Sequence, residues 1–254
     1  MVEHLKTNIL RVDLRKNAKS IIENHISRNI KNQSLPEICI FCGSPKNLTK
    51  EHVLPRWAFD NSVKRFFTTD INGFNQTYNK TTIPACSTCN TDILNSLEKY
   101  IQVIFENRDI KKSPFFAEEL ENIIRWLEII DYKFQILNVR RKFKASKKAG
   151  YISYLADLPL SVLRTSIDYS PSKAITEIRR SQKRVTTKSK LKNINSLVSF
   201  KTKNKDFHFF HHMDDFIFLE FPKHQIAIFY FYRKEFDTEV NAHKEAMEII
   251  GKFY

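Results

Sequence analysis

Two cysteine pairs constrain the fold of this chain more than any other feature. Cys39-x-x-Cys42 and Cys86-x-x-Cys89 use all four cysteines of the 254 residues. Each pair has the spacing of one half of a tetrahedral zinc site with four thiolate ligands. To share one ion, the chain must fold residues 43–85 into a loop, so the free energy of zinc binding becomes folding free energy. We predict a structural Zn²⁺ at these four cysteines rather than four unrelated buried thiols.

Between and beside the pairs stand residues that suit a second, catalytic metal. Glu51 and His52 precede Pro55, and this order predicts the end of a strand. Asn90 directly follows Cys89 and is predicted to lie in the first turn of a helix. A carboxylate and an amide carbonyl are oxygen ligands of the kind that Mg²⁺ prefers. A histidine with its ordinary pKa of about 6.5 can accept a proton from water near neutrality.

Each of these three residues also has a purely structural interpretation. Glu51 could form an ion pair with Lys50 or Arg56, and His52 could be a structural histidine beside the zinc site. Asn90 could serve as a helix cap, a position that asparagine favours. The catalytic interpretation is preferred because the residues stand in order within the two cysteine pairs.

At these residues the chain resembles the HNH nucleases, the zinc-stabilised branch of the ββα-metal fold. Glu51-His52-Val53-Leu54-Pro55 resembles the acidic-His-aliphatic-x-Pro signature of that family, and Cys86-x-x-Cys89-Asn90 resembles its closing zinc pair with the final metal ligand. The resemblance covers residues 37–105. It implies one catalytic Mg²⁺ or Mn²⁺ held by Glu51 and Asn90, with His52 as the general base for attack of water on a phosphodiester bond. By family analogy, it implies a role in phage defence, restriction or mobile-element biology.

Two positions near the motif stay open. The family's middle asparagine, which orients the base, is expected near Thr81; we assign Asn79 to this role, and Asn75 lies further away. Glu98 lies eight residues after Asn90 on the same predicted helix. We predict a solvent or salt-bridge position for Glu98, with an auxiliary metal role as the alternative.

The rest of the chain predicts an α+β protein of three segments. These are an N-terminal helical arm at 1–35, an HNH nuclease domain with structural zinc at 36–110, and a basic α+β domain at 111–254. Apolar residues at helical spacing predict helices at 2–30, 114–137, 152–166, 172–183 and 238–253. Alternating and aromatic runs predict a strand at 66–69 and a meander of strands at 196–201, 207–211, 216–221 and 225–232.

Positive charge is concentrated in one block. The net charge is +14, and residues 140–205 hold eighteen Lys and Arg against three acidic residues. Such a block suits a phosphate backbone, although a solvated basic face is the alternative. We predict DNA as the partner, with RNA as an alternative. The candidate contacts are Arg140, Arg141, Lys142, Lys147, Lys148, Arg179, Arg180, Lys183 and Arg184.

Other features narrow the setting and the competing functions. The first residues lack the pattern of a secretory signal, and no run of about 18 apolar residues predicts a membrane span. Paired cysteines without an export signal favour the cytoplasm and metal ligation over disulfides. Besides the endonuclease, two hypotheses remain. One is a non-catalytic zinc-dependent nucleic-acid-binding protein; the other is an assembly factor whose terminal regions bind a second copy or a protein partner.

Overall fold

Helices and antiparallel strands alternate along the chain, as the predicted α+β class requires. The structure is a computed structural model that describes residues 2–31, 33–59, 66–68, 75–77, 80–107, 115–142 and 171–253. Asn79, Lys147, Lys148 and the helix predicted at 152–166 lie outside these residues.

The helices agree closely with the apolar periodicity. Helix α1 spans Val2–Asn29, and the short α2 spans Arg56–Phe59. A π-helical segment at Thr88–Leu94 continues into α3, Asn95–Asn107. The remaining helices are α4 (Ala117–Lys142), α5 (Pro171–Thr186) and α6 (Glu239–Phe253), with short 3₁₀ helices at Leu191–Ser196 and Pro222–His224.

Helix α4 differs from its prediction at both ends. It begins at Ala117 rather than near residue 114, and it continues to Lys142. Phe116, inside the predicted helix, precedes the observed one and is 65% exposed. Val139 is fully buried beyond the predicted end of the helix.

The strand that pairs with the motif is not the predicted one. Strand β1 (Leu48–His52) pairs antiparallel with β4 (Thr82–Cys86), and α3 follows. The predicted strand exists as β2 (Phe66–Thr68), but it pairs with β3 (Asn75–Thr77) in a separate hairpin. Proline is tolerated in β4 because this sheet has only two strands, so each is an edge.

The C-terminal strands form one four-stranded antiparallel sheet, but their order corrects the predicted meander. Strands β6 (His208–His212), β7 (Phe216–Phe221) and β8 (Ile226–Phe231) are consecutive neighbours. Strand β5 (Leu197–Lys201) pairs with β8, at the opposite edge from β6. The connection from β5 to β6 therefore crosses the width of the sheet.

Both faces of this sheet are covered, which explains the continuous apolar runs of β7 and β8. One face joins the main core, where the Tyr230 hydroxyl donates to Glu128 Oε1 of α4 at 3.0 Å. The other face packs against Ala242 and Ala246 of α6. Every residue of β7 and β8 is buried.

Helix α4 is the centre of the fold because every residue from 122 to 139 is buried. Its apolar residues belong to a core that also contains residues of α1, the cysteine pairs, α3, α5 and the sheet. Residues from all three predicted segments therefore pack into one core. Helix α1 lies antiparallel to α5, since Arg15 donates to the Thr186 carbonyl at 2.8 Å and Gln182 donates to the Ala18 carbonyl at 3.2 Å.

Four charged side chains of α4 are buried, and each has an opposite charge beside it. Arg125 pairs with Glu121 one turn earlier at 3.2 Å. The other pairs reach distant segments; they are Glu128 with Lys190, Asp131 with Arg184, and Lys133 with Glu51. No helix among the described residues has both the length and the apolar character that crossing a bilayer requires.

Two glycines provide a matched test of the turn that follows Cys42. Gly43 has φ +74°, in the left-handed region that L residues rarely adopt. Gly251 in α6 has room for a side chain, since an added Cβ there would meet no atom within 4 Å. We expect Gly43→Ala to lower the free energy of unfolding by about 1–2 kcal/mol, because an L residue is strained at that φ. We expect Gly251→Ala to leave it unchanged or raise it by up to about 1 kcal/mol. Urea unfolding of zinc-loaded protein measures both, and equal effects would contradict the interpretation.

Candidate functional site

The four cysteines converge on one point. Their Sγ atoms all lie within 4.8 Å of one another, and Cys42 Sγ is 3.5 Å from Cys86 Sγ. Zn–S bonds of about 2.3 Å in a tetrahedron place sulfur atoms about 3.8 Å apart. Cys39, Cys86 and Cys89 are buried and Cys42 is partly buried. The cluster could therefore hold a metal ion such as zinc.

Backbone hydrogen bonds shape each half of the cluster. The Gly43 amide donates to the Cys39 carbonyl at 2.9 Å, and the Cys39 amide donates to the Ser44 carbonyl at 2.8 Å. The amides of Phe41 and Cys89 point at the sulfur atoms of Cys39 and Cys86, at 3.4 Å and 3.5 Å. Donors aimed at sulfur stabilise a thiolate, which is the form that binds metal.

The thiols influence one another because they are so close. A hydrogen bond from Cys89 lowers the pKa of Cys39 to about 5, whereas burial raises the pKa of Cys42 to about 12. The hydrogen bond to Cys39 also raises the pKa of Cys89. Without metal, the arrangement thus favours one thiolate that accepts hydrogen bonds from neighbouring thiols. Binding Zn²⁺ must release the remaining protons, so metal affinity falls as the pH falls.

The paired strands bring Asn90 to the motif. Leu48 pairs with Cys86 in the strand register, which places the first residue of β1 at the cysteine cluster. Asn90, in the π-helical turn, donates through Nδ2 to Thr49 Oγ1 at 2.8 Å. Thr49 and Glu51 are two residues apart and lie on one face of β1, about 7 Å from each other. Asn90 and Glu51 are therefore on the same side of the strand.

Glu51 has a partner that the sequence did not indicate. It is 7% exposed and forms an ion pair with Lys133, whose side chain is 1% exposed. The ammonium of Lys133 also donates to the His52 carbonyl at 3.1 Å, and its Nζ lies 3.6 Å from Glu98 Oε1. Lys50 and Arg56, the predicted partners, are both exposed, whereas the buried Lys133 forms the ion pair with Glu51.

In the cluster of Lys133, Glu51 and Glu98, burial and the neighbouring opposite charges shift the pKa values of Lys133 and Glu98 in opposite directions. Burial by itself would lower the pKa of Lys133, but the carboxylates of Glu51 and Glu98 raise it above its ordinary value. Burial raises the pKa of Glu98 to about 7, although the charge of Lys133 opposes that shift. Glu98 thus has the predicted salt-bridge role, but it faces inward rather than toward solvent.

His52 ends β1 and is partly exposed, next to the buried Glu51. The Val53 amide after it donates to the Thr81 carbonyl at 3.0 Å, which links the end of β1 to the start of β4. Thr81, at the spacing expected for the middle asparagine, is buried and supplies this backbone acceptor. Asn79 lies outside the described residues, so its predicted role stays a prediction.

The predicted phosphate contacts fall into two groups. Arg140 pairs with Glu37 at 2.6 Å, and Arg141 donates to the Lys80 carbonyl at 3.1 Å. Arg184 is mostly buried between Asp131 and Asp214, which is a structural position rather than the expected surface one. The half-exposed Arg180 also contacts Asp214, at 3.3 Å.

The second group is exposed. Arg179 and Lys183 of α5 are exposed and lie one turn apart on one side of that helix. Helix α1, antiparallel to α5, adds exposed basic residues. We name as the α1/α5 basic surface the exposed residues Arg15, Lys16, Arg179, Lys183 and Lys188. The side chain of Lys142 is not described, and Lys147 and Lys148 lie outside the described residues.

Sequence reasoning missed Lys133, Thr49 and Tyr132. The Tyr132 hydroxyl donates at 2.6 Å to the carbonyl of Ile40, which lies within the first cysteine pair, so α4 contacts both that pair and β1. One signal was available: Lys133 stands directly between two aromatic residues, Tyr132 and Phe134, in a predicted helix. Alternation along β1 could also have placed Thr49 on the face of Glu51.

Glu51 and Asn90 offer the oxygen ligands that a hard cation requires. In the present structure one of these oxygens is already in contact with another group. Glu51 offers a carboxylate, and Asn90 retains its amide oxygen because its amide nitrogen contacts Thr49. One oxygen of Glu51 is already occupied by the Lys133 ammonium. In comparisons with known proteins, no family, curated protein or solved structure matches this chain. Its function must therefore be argued from the site itself.

Removing one thiolate should unfold the motif. We expect Cys89→Ser to abolish stoichiometric zinc and to lower the free energy of unfolding by on the order of 5 kcal/mol or more, since structural zinc supplies folding energy. Metal analysis and urea unfolding measure both effects. Ser87→Ala is the matched control, because the Ser87 side chain makes no capping hydrogen bond. A Cys89→Ser protein with wild-type stability would contradict the structural role.

Proposed function

We propose that this chain is a metal-dependent endonuclease of the HNH type that hydrolyses phosphodiester bonds in DNA. The observation that carries the proposal is the contact of Asn90 Nδ2 with Thr49 Oγ1 at 2.8 Å. This contact sets the residue after the closing cysteine pair beside the strand of Glu51 and His52. The four-cysteine cluster supports the arrangement, because a metal there would tie the start of the helix to the strand pair.

Each motif residue has a distinct task in this proposal. Glu51 and Asn90 would hold Mg²⁺ or Mn²⁺, and the chemistry supplied by the bound ion is stabilisation of charge on the phosphate and on the leaving oxygen. His52 accepts a proton from the attacking water. The backbone of His52 is fixed by Lys133 at its carbonyl and, one residue later, by Thr81 at the Val53 amide. Such fixation keeps the base in position, although it lies at the end of a strand.

The proposed substrate is held by positive charge outside the motif. The α1/α5 basic surface presents side chains that have no carboxylate within salt-bridge distance among the described residues. Such side chains can neutralise phosphates and release counterions. Arg184 and Arg180 stabilise the inner side of the same helix through Asp214, so α5 has one structural side and one side available to a polyanion.

A second candidate function is favoured by one specific contact. Glu51 is neutralised by a buried lysine, which is the arrangement expected of a structural carboxylate. In that case the chain is a non-catalytic zinc-dependent nucleic-acid-binding protein. The α1/α5 basic surface serves both candidates equally, so only a test of the motif distinguishes them.

Loss of the proposed base should abolish cleavage. We expect wild-type protein to nick supercoiled plasmid with Mg²⁺ or Mn²⁺, and His52→Ala to be slower by about 10²- to 10⁴-fold. Gel separation of nicked and supercoiled plasmid measures the rate. His243→Ala, an exposed histidine of α6, is the matched control and should cleave like wild type. Equal rates for wild type and His52→Ala, or no cleavage by wild type with either metal, would favour the second candidate.

Charge reversal should identify the nucleic-acid surface. We expect Arg179→Glu with Lys183→Glu to weaken DNA binding and to reduce the slope of log K against log salt by about 2, because each neutralised phosphate contributes about 0.9. Fluorescence anisotropy with duplex DNA at several salt concentrations measures the slope. The matched control is Lys244→Glu with Lys252→Glu, two exposed lysines of α6. An equal loss in both double variants would indicate net charge rather than this surface.

A further inference from the structure

The cluster around Lys133 contains two charged residues that the proposed reaction does not use. The Lys133 ammonium donates to Glu51 Oε1 and to the His52 carbonyl, so two of its three N–H donors are engaged at β1. Glu98, on α3, also faces the ammonium, with its Oε1 at 3.6 Å from Nζ. That separation is an ion pair but is too long for a hydrogen bond.

Glu98 is the unusual member of this group. Its Oε1 atom is buried and has no hydrogen-bond partner among the residues that the structure describes. A buried carboxylate oxygen without a donor is costly, and such atoms call for an explanation. The Lys133 ammonium lies beside this oxygen at 3.6 Å, and a shift of less than about 1 Å would bring Nζ to the ~2.8 Å of a charge-assisted hydrogen bond.

We infer that Lys133 is a movable counter-cation that pairs with Glu51 in the absence of a divalent ion and with Glu98 when Glu51 ligates one. The inference rests on the proposed function, because it requires Glu51 to be a metal ligand. An ammonium and a divalent cation on one carboxylate repel each other, so binding at Glu51 displaces the lysine. The flexible four-carbon side chain of lysine permits this transfer, and the Glu98 Oε1 atom, which lacks a hydrogen bond among the described residues, accepts it.

This assignment makes Lys133 and Glu98 positioning residues that set the affinity for the cation without touching it. It differs from a model in which Glu98 is itself a ligand, and the two can be separated by a double-mutant cycle. If Glu98 acts only by accepting the lysine, its removal has no effect once Lys133 is gone. If Glu98 binds the cation directly, its removal weakens binding whether or not Lys133 is present.

A titration with Mn²⁺ alone tests the inference on zinc-loaded full-length protein. The electron paramagnetic resonance signal of free Mn²⁺ measures binding. We expect Lys133→Met to tighten Mn²⁺ binding by about tenfold and Glu98→Gln to weaken it by about tenfold, within the usual range of coupling between sites. The double variant should bind like Lys133→Met. Unchanged or weaker binding by Lys133→Met overturns the inference, and so does equal weakening by Glu98→Gln in both backgrounds.

Two further variants keep the outcomes distinct. Lys190→Met removes another buried lysine, paired with Glu128, and should leave Mn²⁺ affinity unchanged; a tenfold change there would overturn the inference. Glu51→Gln should abolish Mn²⁺ binding. If Glu51→Gln loses Mn²⁺ binding but Lys133→Met does not gain affinity, the inference alone is overturned. If Glu51→Gln binds Mn²⁺ as tightly as wild type, or if wild type does not bind Mn²⁺ at all, the proposed function is overturned as well. If Lys133→Met does not fold, unchanged affinity in Glu98→Gln overturns the inference.

Discussion

The rest of the structure depends on the requirement that every buried charge of α4 meets an opposite charge. A charged group inside a protein is tolerated only when it is paired, because desolvation costs several kcal/mol. Glu128, Asp131 and Lys133 meet this requirement with partners from three other segments. These positions span about 8 Å along the helix axis. The ion pairs thus determine which segments pack beside which turn of α4, in a core whose apolar contacts are far less selective.

The motif is held at both ends as a consequence. At one end of the strand pair, Leu48 lies opposite Cys86 at the cysteine cluster, and at the other end Glu51 is held by Lys133. Metal binding at the cysteine cluster would act on the first end, and burial of α4 acts on the second. The hydroxyl of Tyr132, next to Lys133, joins the two through the Ile40 carbonyl. The geometry of β1 therefore requires both the cysteine cluster and a helix more than forty residues later in the sequence.

Local patterns predicted what local interactions determine. Cysteine spacing predicted the cluster, and apolar periodicity predicted α1, α5, α6 and the strands of the large sheet. The pairing of β4 with β1 was missed because Pro84 makes a five-residue run look unlike a strand, while aromatic residues near Phe66 offered a more conventional one. The ion pair of Glu51 with Lys133 joins residues 82 positions apart, which no periodicity reveals. The expectation that Arg184 lies at the surface was wrong for the same reason, since its partners Asp131 and Asp214 are distant in sequence.

The pairing of Glu51 with an ammonium would reconcile a stable fold with the proposed metal site. Glu51 and Glu98 face the same buried space, and two uncompensated carboxylates there would destabilise the folded chain. With Lys133 paired to both, the fold tolerates the absence of a divalent cation. That stability has a consequence for function, because any cation at Glu51 must bind strongly enough to replace an existing ion pair. The same contact that stabilises β1 against α4 would therefore weaken the proposed site, and a chain with this arrangement would gain metal affinity only at the expense of fold stability.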